Sequence, residues 1–210
     1  FSAPGFKLKH VSADLMHVSD LGILLVLLGN IMWELFFSMG GTLKKGRTQC
    51  SELLRLLKAA AKQVGVTAPV NYLTVGMFRT DGKSPKFKLK AAESRRMLKA
   101  MYHMLLHYFP AVTPHENLRF QCTRQMFLFY AELENWRAES IENLPAISRR
   151  HLLLYAELSN SMSAENAARK CDRWKLYPKH HLFQHVAEKQ VVLCGNPRDN
   201  CCYADESEIG

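Results

Sequence analysis

Leu21-Gly22-Ile23-Leu24-Leu25-Val26-Leu27-Leu28-Gly29-Asn30-Ile31-Met32-Trp33-Glu34-Leu35-Phe36-Phe37-Ser38-Met39 runs for nineteen residues without a lysine or arginine. Only Gly22, Gly29, Asn30, Glu34 and Ser38 interrupt its apolarity. A run of this length can reach across a bilayer, and the bases Lys44, Lys45 and Arg47 follow it. Two features turn the reading inward. Asn30 and Glu34 are four apart and share one helical face, and a charge inside a membrane helix is expensive. Gly22 and Gly29 also permit close approach of a packing partner. The stretch predicts a buried core helix with Asp20 as its N-cap. A membrane anchor over residues 21–39, with basic residues on the lipid surface, is the alternative.

Outward from this helix, the chain reads as mainly α: a helical bundle with a few short strands. Leu53, Leu54, Leu56 and Leu57 stripe a helix from Ser51 to about Gly65. Met97, Leu98, Met101, Leu105 and Tyr108 do the same from Ala91 to Phe109, stopped by Pro110. Aromatic-rich Asn117–Arg137 follows, then Pro145 as a separator, then helices Ser148–Ser159, Ser163–Lys170 and His180–Gln190. Strands are expected at Phe6–Asp14 and, as a strand or extended connector, at Val70–Arg79. At 210 residues, 48% hydrophobic and 22% charged, the composition is that of a globular domain and excludes disorder, collagen and coiled coil. The start at Phe1 is expected to reflect processing or excision from a longer chain, and no signal peptide is legible there.

The formal charge of +9 is concentrated. Lys83, Lys86, Lys88, Lys90, Arg95, Arg96 and Lys99 against the single acid Glu93 place +6 in one block. Such a block attracts nucleic acid or an anionic surface; a solvated linker and helix face is the plainer reading. Six cysteines, Cys50, Cys122, Cys171, Cys194, Cys201 and Cys202, are too irregularly spaced for a disulfide framework and read as intracellular thiols.

Three local constellations carry possible chemistry. They are Asp14-Leu15-Met16-His17 ahead of Asp20-Leu21-Gly22, Pro178-Lys179-His180-His181 with His185 one turn on, and Gly195-Asn196-Pro197 leading to Tyr203-Ala204-Asp205-Glu206-Ser207-Glu208. In this order they resemble the RNase H-like DDE transposases, especially CACTA-type and related large eukaryotic elements. The resemblance implies that Asp14, with Met16, His17, Leu21 and Gly22, supplies the second catalytic carboxylate. Pro178, Lys179, His181 and His185 match the segment near the third, which falls on Glu206 with Asp205 and Glu208 as neighbouring registers. It further implies Mg²⁺ or Mn²⁺ held by Asp14 and Glu206, a DNA partner and a nuclear location. Two ions of this kind clamp the attacking and leaving oxygens of strand transfer, and hard oxygen ligands suit them.

On this resemblance residues 1–45 hold the strand and helix of the second Asp, 46–172 a helical insertion, and 173–210 the segment of the catalytic Glu. A first Asp and the leading strands of the sheet are expected upstream, in another part of the parent protein, so this chain alone is expected to be inactive. The nucleic-acid contacts are expected from the 83–99 block with Lys179, His181 and His185. Plainer roles stand beside each: Asp14 as a helix cap, and His181 and His185 as packing groups or, with Cys194, Cys201 or Cys202, zinc ligands. A non-catalytic nucleic-acid-binding or assembly protein is the second reading of the whole.

Overall fold

The predicted core helix starts six residues earlier than Asp20. The computed structural model, which describes residues 13–43, 45–78, 84–169 and 172–200, opens on Asp14, whose Oδ2 accepts the His17 N–H at 2.8 Å. Its carbonyl takes the Val18 N–H at 3.0 Å. Asp14 is therefore the N-cap. Asp20, expected in that role, lies inside the helix and is 0% exposed. The first turns, Met16–Ile23, are π-helical and run on into α1, Leu24–Ser38.

A glycine ends α1. Gly40 at φ +77° donates to Phe37 O at 2.9 Å, and Gly41 donates to Phe36 O at 3.0 Å. This is a Schellman closure, in which a residue without Cβ takes the left-handed position. By length and composition Met16–Ser38 is long and apolar enough to cross a membrane, yet 78% of its most apolar window is covered by the rest of the chain. A helix apolar on every side belongs in an interior, and here other helices provide it.

Those helices are α2 (Arg47–Gln63), α3 (Val75–Phe78), α4 (Ala91–Tyr108), α5 (Pro114–Glu134), α6 (Ser140–Ser161), α7 (Ser163–Arg169), α8 (Pro178–His185) and α9 (Val191–Cys194), with a π-helical turn Val186–Gln190 joining the last two. Thr113 caps α5 through Glu116 N–H at 3.2 Å while the Glu116 carboxylate returns to Thr113 N–H at 2.9 Å. Pro114 at the first position fits that start. α6 runs through Pro145 rather than beginning after it. The proline removes one N–H, and the carbonyl it would have met belongs to Ile141, a residue 39% exposed and open to water.

No strand forms among the described residues, so the few short strands expected are not seen there. Residues 6–12 of the first lie outside the described chain. The second, Val70–Arg79, contains the helix α3 instead, and Arg79 lies outside. Tertiary packing decides this: Phe78 is fully buried between Phe36, 5.7 Å away, and Phe87, 6.2 Å away, and a helical turn puts it there.

The extended element sits at residues 84–90. Phe87 N–H reaches Leu25 O at 2.9 Å and Lys88 N–H reaches Met77 O at 2.8 Å. The segment crosses α1 at Gly29, where a Cβ would stand 2.6 Å from Lys86 Cα and N. Gly29 is the contact that lets a backbone lie directly on the helix. One hydrophobic cluster then runs from Leu15 through Phe129, Tyr155 and Trp174 to Val191.

Candidate nucleic-acid interface

Two motif segments separated by some 160 residues meet. α8 packs on the π-helical turns of Met16–Ile23, and Lys179 Nζ donates to His17 O at 2.8 Å. The lysine stem passes over Gly22, where a Cβ would come within 2.8 Å of Lys179 Cδ. Thus Asp14, His17 and Gly22 from one segment and Lys179 from the other form one surface. Lys86 joins it from the extended segment, and the three elements enclose a cleft of about 400 Å³. Burial, followed by the charge of Lys179, holds the Lys86 ammonium below its usual pKa.

The basic block divides in two. In the extended segment Phe87 is buried while Lys88 and Lys90 are exposed and Lys86 is half-buried. Period-two alternation thus sets these three lysines on one side, and none has an acid partner among the described residues. Past Lys90 the chain turns helical, because Glu93 accepts Lys90 N–H at 2.8 Å. Helical spacing then brings Arg95 and Lys99 to acids on neighbouring elements. Arg95 Nε lies 3.9 Å from Asp20, and Lys99 pairs with Glu134 at 2.8 Å. Arg96 is half-buried. Lys83 lies outside the described residues. The sequence shows the charge but not which half is already neutralised.

His181 and His185 stand one turn apart with their Nε2 atoms 2.9 Å from each other, one donating to the other. Desolvation, with the charges of Lys189 and His181, holds His185 below the usual imidazole pKa. Among the described residues no group of three or more His, Cys, Asp or Glu side chains is placed to hold a metal. The zinc reading therefore finds no support in Cys194, which is exposed and free; Cys201 and Cys202 lie outside the described residues.

The carboxylates expected to hold Mg²⁺ or Mn²⁺ fare similarly. Glu206, Asp205 and Glu208 lie outside the described residues. Asp14 is described, and its Oδ2 already serves the His17 N–H and the His17 Nδ1, the latter at 2.6 Å. The described residues do not make a divalent-ion site.

Two buried polar clusters went unforeseen. Asp20 accepts a hydrogen bond from Tyr130, whose hydroxyl also meets Ser19 Oγ at 2.8 Å. Burial pushes Asp20 from 3.8 to about 7, against the opposing pull of Tyr130 and Arg95. Glu34 takes His115 Nε2 at 2.9 Å, Arg119 at 3.0 Å and Trp174 Nε1 at 2.6 Å. Burial alone would raise its pKa; these donors and the charges of His115 and Arg119 outweigh it and hold Glu34 ionised. Asn30 Oδ1 accepts Trp174 N–H at 2.8 Å, which fixes Trp174 at its positive φ of 56°. The Asn30/Glu34 spacing signalled a polar face on the core helix. Nothing local signalled partners at 115, 119 and 174.

No family model, curated protein or solved structure matches this chain.

Proposed function

We propose that this chain is a DNA-holding part of a DDE transposase-like protein, gripping the phosphate backbone without reading sequence. The observation that carries the proposal is the row Lys86, Lys88 and Lys90 beside Lys179. It is a set of lysines without acid partners among the described residues, presented on a segment pinned to the core helix. Cations arrayed along an extended backbone match the regular spacing of phosphates, and such contacts position nucleic acid without specifying it. The packing of the Asp14–Gly22 segment against Pro178–His185 supports the transposase resemblance, since those are two of the three motif segments that resemblance rests on; the third runs into residues 201–208, outside the described residues. Strand cleavage and transfer with Mg²⁺ or Mn²⁺ belong to the whole transposase-like protein; holding DNA is the role assigned to the residues described.

Binding of two unrelated duplexes, followed by fluorescence anisotropy across a salt series, tests this. Four phosphate contacts give a slope of log K against log salt of about −3.6, the same for both sequences. A flat salt response, or strong preference for one duplex, would remove the proposal.

A further inference from the structure

The cleft between the turns of Met16–Ile23, the extended segment and the start of α8 has a volume of about 400 Å³, within the range of sites that enclose small organic ligands. Ile23, Val26, Tyr177 and Pro178 give it an apolar wall, and Lys86 and Lys179 line it from opposite elements. Lys179 uses one ammonium proton on His17 O and keeps two more to donate. His180, 4% exposed, stands in the wall. Its Nδ1 lies 3.0 Å from Tyr177 N and 3.2 Å from Tyr177 O, and its buried Nε2 meets no hydrogen-bond partner among the described residues. The cleft thus combines two like charges, surplus ammonium donors and an apolar wall, and no carboxylate lines it among the described residues. An inorganic phosphate would leave the apolar wall bare. An uncharged apolar ligand would bring no counter-charge to Lys86 and Lys179.

A planar ring carrying a phosphate satisfies both halves. We infer that this cleft takes one unpaired nucleotide of a DNA strand, its base against the Ile23, Val26, Tyr177 and Pro178 wall and its phosphate between Lys86 and Lys179. The inference rests on the DNA reading above and names the part of the DNA that this face receives. Stacked or wedged bases on aromatic surfaces contribute about 1–3 kcal/mol each, so one captured base is worth roughly fivefold or more in affinity.

The full chain is offered a blunt duplex and the same duplex with one unpaired terminal nucleotide, at equal salt. In a parallel sample that nucleotide is 5-iododeoxyuridine, irradiated and mapped by peptide mass spectrometry. The expected results are a fivefold or greater gain for the unpaired end and a crosslink within residues 177–180. Free thymidine monophosphate should erase the gain where inorganic phosphate at the same concentration does not. Val26→Phe, which fills the wall and leaves both lysines, should abolish the gain while blunt-duplex binding persists. The crosslink and the affinity ratio come from the unaltered chain, so they decide the matter even if Val26→Phe fails to fold. Equal binding of both DNAs with no crosslink in 177–180 overturns this inference and leaves backbone binding standing. Displacement by inorganic phosphate also overturns it, because it shows a bare anion site. Binding to neither DNA refutes the DNA reading and the nucleotide site with it.

Discussion

Asp20→Asn should stabilise this protein increasingly as pH rises from about 4 to about 7, and by a constant amount above that. The carboxyl is 0% exposed, hydrogen-bonded by Tyr130, and has Arg95 no nearer than 3.9 Å. Burial raises its pKa from 3.8 to about 7. Because the folded state holds this proton more tightly than the unfolded chain, stability is full below the unfolded value. It declines as pH rises from about 4 and levels off above about 7. At about 1.4 kcal/mol per pKa step, the loss is on the order of 4 kcal/mol. Asparagine keeps an acceptor for Tyr130 and has no charge to desolvate. The assay is urea unfolding of both proteins from pH 4 to pH 8.5, reading midpoint and slope. The two should agree near pH 4 and diverge by up to roughly 4 kcal/mol in favour of the variant by pH 8. For a chain of this size that difference corresponds to a melting shift of about 8–16 °C. Histidines titrating in the same window act equally on both proteins and cancel in the difference. Parallel stability curves, or a variant weaker at every pH, would refute the claim that a desolvated carboxylate is the source.

Three further outcomes follow from particular contacts. Gly29→Ala should destabilise by about 1–3 kcal/mol, because its Cβ would lie 2.6 Å from the Lys86 backbone; a gain in thermal stability, the usual result of removing a helix-interior glycine, would show that the segment does not lie on α1. Glu34→Ala should cost about 3–5 kcal/mol in chemical unfolding, since it strands Arg119 in the interior; in the parent, this contribution fades as acid protonates Glu34 below the ordinary carboxylate range. Asp14→Ala should cost about 1 kcal/mol as a lost cap and change no nuclease activity, the chain being expected not to nick plasmid with Mg²⁺ or Mn²⁺. Metal-dependent nicking that Asp14→Ala abolishes would assign Asp14 to catalysis instead.

The helical class was readable because apolar residues recur at helical spacing in Arg47–Gln63, Ala91–Tyr108 and Ser140–Ser161. The burial of the core helix was also readable, since Asn30 and Glu34 require partners that lipid does not provide. Its start was not. Asp20, directly ahead of the apolar run, is the better cap on paper, and only its contact with Tyr130, 110 residues away, shows that it lies inside. Val75–Phe78 was misread for a similar reason: three of its four residues are apolar or aromatic, a pattern common to strands and buried turns, and Phe36 and Phe87 decide between them. In the basic block, sequence supplies the charge and geometry supplies the sorting. An extended backbone leaves Lys86, Lys88 and Lys90 together, while helical spacing from Ala91 onward delivers Arg95 and Lys99 to Asp20 and Glu134.

That sorting is the centre of the functional account, and charge reversal tests it directly. Lys86→Glu, Lys88→Glu and Lys90→Glu in one protein should weaken duplex binding for every sequence and lower the salt slope by roughly 3, about 0.9 for each lost phosphate contact. Lys99→Glu, at a lysine already paired with Glu134, should change the slope far less. A triple variant that binds duplex with the parent's affinity and salt slope would contradict the account.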